Sequence, residues 1–263
     1  MDKHYEFSSK VAAALRLNTE RVFAIQWQGD RFWIKQPVTA RKTIWHDLSA
    51  WVARLTDNPL FMPTVSECAL SALDYEIKHI SRLHKKGASV PVIVAKDHGW
   101  FATADHGITL QKLFKRADLP DDNLDNIVVK AGITLAELHH LRDWHGRPAL
   151  RDMLWDGEKV TLIDFEENPA QHLSPVQCMS RDIFLFMHGV LRFYPLESPV
   201  VTTLWSKYCQ IAPKPVIAEA VALANNMTWL YWLSRLCVRF AGNDVRQTYT
   251  TLAFFRQQSI KSE

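Results

Sequence analysis

A chain of 263 residues, 48% hydrophobic and 22% charged, is long enough for one two-lobed domain or two small ones, and its composition is that of a globular protein. A formal charge of +3, with no run of Lys and Arg, gives no reason to expect a nucleic-acid partner. No uninterrupted apolar stretch reaches the ~18 residues of a membrane span, and Met1-Asp2-Lys3-His4-Tyr5-Glu6 lacks the basic start and apolar core of a signal peptide.

In chain order, residues 21–27 alternate and are rich in β-formers, Gln28-Gly29-Asp30 is a turn, and 31–35 return, which predicts a hairpin ended by Pro37. Apolar residues at helical spacing predict a helix over 44–55, with Trp45 and Trp51 on one face. Its neighbours Arg41, Lys42, Arg54 and the stretch Pro59-Leu60-Phe61-Met62 leave two readings open, a helix packed on the protein or a peripheral membrane contact through residues 44–62. A longer helix is expected over 65–84, capped by Ser66, with Leu70, Leu73, Ile77, Ile80 and Leu83 or His84 facing inward and Gly87 stopping it. Strands are expected at 90–95 and 100–104, helices at 110–117 and 123–141, a short hairpin at 153–155 and 160–163, and mostly helix from about 182 onward. The order is α+β, with a division near 104–110.

Cys68, Cys178, Cys209 and Cys237 include no C-x-x-C pair and are expected to be reduced, buried thiols in a cytoplasmic protein. Most of the ten tryptophans, and the cluster Trp229, Tyr231 and Trp232, are expected in the core. A helical surface at 215–240 that recruits a partner is the alternative for that cluster. His139, His140 and His145 fit no standard metal-ligand spacing, and His145 is expected to brace its loop.

The chemistry-bearing residues concentrate in a few places. Lys35 ends the second strand, positioned to meet phosphates, and Glu76 lies on the apolar face of the long helix, where a buried acid needs a cation. Asp164 follows an apolar strand and Asp152 opens its hairpin partner, so two carboxylates converge as they would on a hard cation such as Mg2+. These parts match what phosphoryl transfer demands, a cation for the phosphates and oxygen ligands for the metal.

His145-Gly146-Arg147-Pro148-Ala149-Leu150-Arg151-Asp152, followed by a hairpin and Ile163-Asp164-Phe165, resembles the H-G-D-x-x-x-x-N and I-D-F/W motifs of compact kinase-like enzymes. The nearest are bacterial lipopolysaccharide-core sugar kinases; RIO kinases and aminoglycoside phosphotransferases are more distant. The resemblance covers about residues 20–195. It implies a two-lobed kinase-like fold with a β-rich N-lobe (1–106) and a helical C-lobe (107–263). It implies ATP and Mg2+ as cofactors and a small-molecule, sugar or glycolipid acceptor, at the inner face of the membrane where the acceptor is lipid-linked. Carried over residue by residue, Lys35 is the phosphate lysine, Glu76 its helix partner, Asp152 and Asp164 the metal ligands, and Asp182 in Arg181-Asp182-Ile183-Phe184 the brace of the catalytic loop.

Two departures matter. Leu17-Asn18-Thr19-Glu20 contains no glycine where a glycine-rich loop belongs. Arg147 stands where the family has its catalytic aspartate, and a guanidinium accepts no proton. Three readings follow: Arg147 binds an anionic acceptor or the transferring phosphoryl group; Asp152 serves as base as well as ligand; or the protein is a pseudokinase in which Arg147 pairs with Asp152 or Asp164. The candidate catalytic residues are therefore Arg147, Asp152 and His145.

Overall fold

A computed structural model describes residues 3–37, 69–116, 121–237 and 242–260. The fold is mixed α+β, with one four-stranded antiparallel sheet, one three-stranded sheet and many helices. The expected helix at 44–55, the membrane-contact stretch 44–62, Ser66 and Cys68 lie outside the described residues.

The chain begins with a helix that the sequence reading missed, α1 (Lys3–Leu17). Its large apolar residues are sparse, but Phe7 and Val11, one turn apart, are buried against Phe23, Ile25, Ile34, Trp100 and Ala102. The expected hairpin forms as β1 (Val22–Trp27) and β2 (Asp30–Lys35). Gln28 (φ 52°) and Gly29 (φ 93°) are both left-handed, as the tightest hairpin turns require.

Strand parity then positions the first candidate side chain. Ile34 is fully buried on the α1 side, so Lys35 points to the opposite face. There Lys35 pairs with Phe101, and Trp33 with Thr103, across the junction with β4 (Trp100–Ala104). The sheet order is β1-β2-β4-β3, with β3 at Ile93–Asp97. β3 starts three residues later than expected, because Pro91 has no N–H to give a ladder.

Between β2 and β3 lies α2 (Ala69–Lys85). Leu73, Ile77, Ile80 and Leu83 are buried, and Glu76 shares their face. Leu70 was expected on that face but is 41% exposed, and His84 also faces solvent. Gly87, at φ 81°, ends the helix as a Schellman cap: its N–H donates to His84 O and that of Ala88 to Leu83 O.

Asp105, His106 and Gly107 join the first sheet to the rest of the chain. Gly107 (φ 96°) is forced, since a Cβ there would lie 2.0 Å from Trp155 O. β5 (Ile108–Thr109) pairs with β6 (Met153–Trp155), and β6 with β7 (Val160–Leu162). Thr109 caps a one-turn helix, α3 (Leu110–Leu113), shorter than the 110–117 expected. α4 spans Asp121–His140.

The C-terminal part is α5 (Pro175–Val190), α6 (Pro199–Ile211), α7 (Lys214–Asn226), α8 (Thr228–Cys237) and α9 (Asn243–Ile260). Ser174 and Gln177 form a reciprocal capping box that starts α5 seven residues before the expected point. One large apolar core runs from α2 through α4 to α9; within it Phe184 stacks on Phe255 and Trp205 on Tyr208, and Phe254 and Phe255 meet Trp205 edge to face.

Two core expectations need correction. Trp229 and Trp232 are 53% and 49% exposed, because α8 turns only Ser234 fully inward. Cys237 is exposed, while Cys178 is buried and Cys209 half-buried; all three are free thiols. Among the described residues no helix is long and apolar enough to cross a membrane.

Candidate functional site

A cavity of about 890 Å3 opens between the inner face of the first sheet and the β6–β7 hairpin. Lys35, Glu76, Asp152 and Asp164 all line it, brought there by a strand, a helix, a 3-10 turn and the end of a strand.

Lys35 is the hub. Its Nζ lies 2.8 and 2.7 Å from the two Glu76 oxygens and 2.5 Å from Asp164 Oδ1. Glu166 Oε2 is 4.0 Å away. One ammonium thus serves three carboxylates, and Glu76, Asp164 and Glu166 each place an oxygen within 4.8 Å of the others. Asp152, expected to share a metal with Asp164, is outside this group, which is gathered around the Lys35 ammonium.

The carboxylates divide the available charge unequally. Burial raises the pKa of Glu76, which is 1% exposed, and Lys35 only partly offsets it. Burial acts on Asp164 in the same sense, but the charge and hydrogen bond of Lys35 outweigh it, and its pKa is lowered. Asp152 has no lysine of its own. Burial, and then the negative charge of Asp164, push it up to about 7.

Asp164 adopts φ 69°. A left-handed aspartate is uncommon and requires support from its surroundings. The support comes from behind the cavity. Ile163 N–H donates to Asp152 O (2.9 Å), and His145 Nε2 lies 2.8 Å from Ile163 O, so that nitrogen carries the ring proton. Nδ1 is then left to accept from Arg147 N–H at 3.4 Å. Burial lowers the His145 pKa and favours this neutral form. The ring packs 4.5 Å from that of Phe165. His145 is 1% exposed and does not line the cavity, so the structure makes it a support.

The turn before it is fixed from α5. The backbone N–H groups of His145 and Gly146 donate to Asp182 Oδ2 (2.5 Å) and Oδ1 (3.0 Å). Arg181 donates to Gly146 O. Gly146, at φ 105°, leaves a side chain no room: a Cβ would lie 2.9 Å from Glu167 O. His139 lies in the same buried region, with Nδ1 2.6 Å from the Tyr208 hydroxyl, and forms no metal trio with His140 and His145.

Arg147 does not pair with Asp152 or Asp164. Its Nε lies 2.9 Å from Glu167 Oε1, and its side chain is 41% exposed. Arg151, 52% exposed, is the cation beside Asp152, at 3.5 Å.

The sequence reading missed Arg21, Glu166 and Glu167. Arg21 ion-pairs with Glu166 across the cavity mouth. Parity would group Arg21 with Phe23 and Ile25, on the face away from the cavity; because it lies just before β1, that rule does not bind it. The acidic pair at 166 and 167 directly after Ile163-Asp164-Phe165 was the available signal for the other two.

No protein-family model matches the sequence. An uncharacterized protein of Haemophilus influenzae (strain ATCC 51907 / DSM 11121 / KW20 / Rd) is 22% identical over 236 residues, 90% of each chain.

Proposed function

We propose that the protein is an ATP- and Mg2+-dependent phosphotransferase of two-lobed kinase-like fold, with residues 1–106 as N-lobe and 107–263 as C-lobe. The acceptor is a small molecule, a sugar or a lipid-linked glycan, and the setting is cytoplasmic, at the inner face of the membrane where the acceptor is lipid-linked. One observation carries the reading: Lys35, on a strand, joins Glu76 on the following helix to Asp164 at the end of β7, at the wall of a cavity with room for a nucleotide. The sheet order β1-β2-β4-β3 and the His145–Gly146 turn braced by Asp182 support it.

The donor set suits a hard cation. Asp152 and Asp164 are close enough for the charge of one to raise the pKa of the other, and a divalent ion bound to both would relieve that repulsion. Bound there, Mg2+ would neutralise charge on the phosphates. The protein's own contribution is positional. Glu76 holds Lys35 toward the cavity, the left-handed backbone aims Asp164 inward, and the His145 and Asp182 hydrogen bonds fix both relative to Asp152. Asp152, pushed up to about 7 while no ion is bound, would be held ionised by a divalent cation as its ligand, and it serves as a base toward an acceptor hydroxyl only where the ion rests on Asp164. Arg147, at the bend after Gly146, and Arg151, on the 3-10 turn that carries Asp152, are half exposed and attract an acceptor that carries phosphate or carboxylate.

A second reading, a pseudokinase with a binding or regulatory role, is favoured by one specific observation: Arg147 is held by Glu167 where the resembled family has its catalytic aspartate. General-base help is worth about 10²–10⁴-fold, and positioning carries most of phosphoryl transfer, so this substitution alone does not remove activity. ATP turnover in the parent and in Arg147→Ala separates the readings. The phosphotransferase predicts turnover that falls in Arg147→Ala. A parent that binds MgATP without turnover supports the pseudokinase, and higher turnover in Arg147→Ala contradicts the anion-binding role.

A further inference from the structure

Polyphosphate needs more positive charge than one lysine supplies, and Lys35 is already shared by Glu76 and Asp164. In many phosphate sites a glycine-rich segment adds backbone N–H groups. Here the end of α1 and the residues after it, Leu17-Asn18-Thr19-Glu20, contain no glycine, and Asn18 folds back to bond Ala14 O. Directly after it comes Arg21.

Arg21 lines the same cavity as Lys35 and Asp164. Its guanidinium faces Glu166 with both terminal nitrogens, Nη1 at 3.4 Å from Oε1 and Nη2 against Oε2. Glu166 Oε2 is in turn 4.0 Å from Lys35 Nζ, so the two cations stand at one end of the cavity. Arg31, Lys112 and Arg116 also line the cavity, and Arg31 lies over the Trp33 ring, 4.7 Å from its centre. A guanidinium fork that accepts a carboxylate with two nitrogens fits a phosphate with the same two.

We propose that Arg21 is a phosphate ligand of the nucleotide site and fills the role that a glycine-rich loop would otherwise play. The proposal rests on the reading of this cavity as a nucleotide site. It predicts that the contribution of Arg21 is confined to the phosphates. The side chain is 46% exposed, so its removal leaves no buried cavity and tests binding rather than folding.

The test is calorimetric titration of the full chain with MgATP and with adenosine, in the parent, Arg21→Ala and Arg21→Lys, alongside thermal melts. Charge-assisted hydrogen bonds of this kind predict a loss of about tenfold to a hundredfold in ATP affinity for Arg21→Ala. Adenosine affinity should stay unchanged, and Arg21→Lys should fall between the two. Should Arg21→Ala fail to fold, Arg21→Lys carries the test, because lysine keeps the charge and loses the fork. ATP affinity equal to the parent's in the folded variants, or an equal loss for adenosine and ATP, overturns the role of Arg21 and leaves the nucleotide site standing. A parent that binds neither ligand overturns both.

Discussion

Asp182 and Asp164 support the same loop system and are satisfied in opposite ways. Asp182 is fully buried on α5, and both of its oxygens accept backbone N–H groups, from His145 and Gly146. Asp164 has a left-handed backbone and a side chain 25% exposed to the cavity, with two further carboxylates nearby and one shared lysine. The first arrangement turns both carboxylate oxygens to structure. The second concentrates negative charge that the fold would be better without, which is the pattern expected of a group kept for binding.

That contrast can be broken in several places. The largest effect belongs to Asp182→Ala, which strands the two buried amides of His145 and Gly146; it should cost about 3–5 kcal/mol in urea unfolding. A loss below about 1 kcal/mol would remove Asp182 from the structural role. Lys35→Met comes next. It leaves Glu76 buried and uncompensated, at a cost of about 3 kcal/mol near neutral pH. Because the pKa of Glu76 is already raised, acid should restore much of that loss by protonating it, and pairing the change with Glu76→Gln should do the same.

The pH dependence of Asp152 is a subtler probe. Its folded pKa, about 7, lies above the ordinary carboxylate value, so between about pH 4 and 7 the folded state holds a proton that the unfolded chain has lost. Stability from this group is complete at the acid end and disappears as pH rises through 7, a span on the order of a few kcal/mol. Asp152→Asn should flatten the melting-temperature profile across that window; an unchanged profile would show that Asp152 titrates normally. Asp164→Asn should alter stability by no more than about 1 kcal/mol, since it removes an ion pair and a repulsion together. It should also lower the pKa of Asp152 toward the ordinary range, measurable by carboxylate NMR titration. The smallest effect is expected for Arg147→Ala, within about 1 kcal/mol in chemical unfolding, because its pair with Glu167 is partly exposed.

Much of this site was legible from local rules. Strand parity turned Lys35 toward the cavity once Ile34 was recognised as core. Helix spacing put Glu76 on the inner face with Ile77, Ile80 and Leu83. The position of Asp164 followed from the apolar strand before it. What escaped depended on contacts between distant segments. Glu167 reaches back twenty residues to Arg147, and Arg21 meets Glu166 across 145 positions. α1 escaped for another reason. Its inward face is Phe7, Val11, Ala14 and Leu15, while the exposed Ala12 and Ala13 beside them blur the helical period until β1 and β2 supply a surface to bury it. Trp229 and Trp232 misled by composition, since these two face outward from α8 while Tyr231 between them packs against the core.

The central claim is that Asp164 serves a metal-bound nucleotide. Calorimetric titration of the parent and of Asp164→Asn with ATP, each with and without Mg2+, tests it most directly. The account predicts that Mg2+ tightens ATP binding to the parent by about tenfold or more, and that the variant loses this gain while remaining folded. A parent that ignores nucleotide, or an Mg2+ effect that survives the loss of the Asp164 charge, would contradict it.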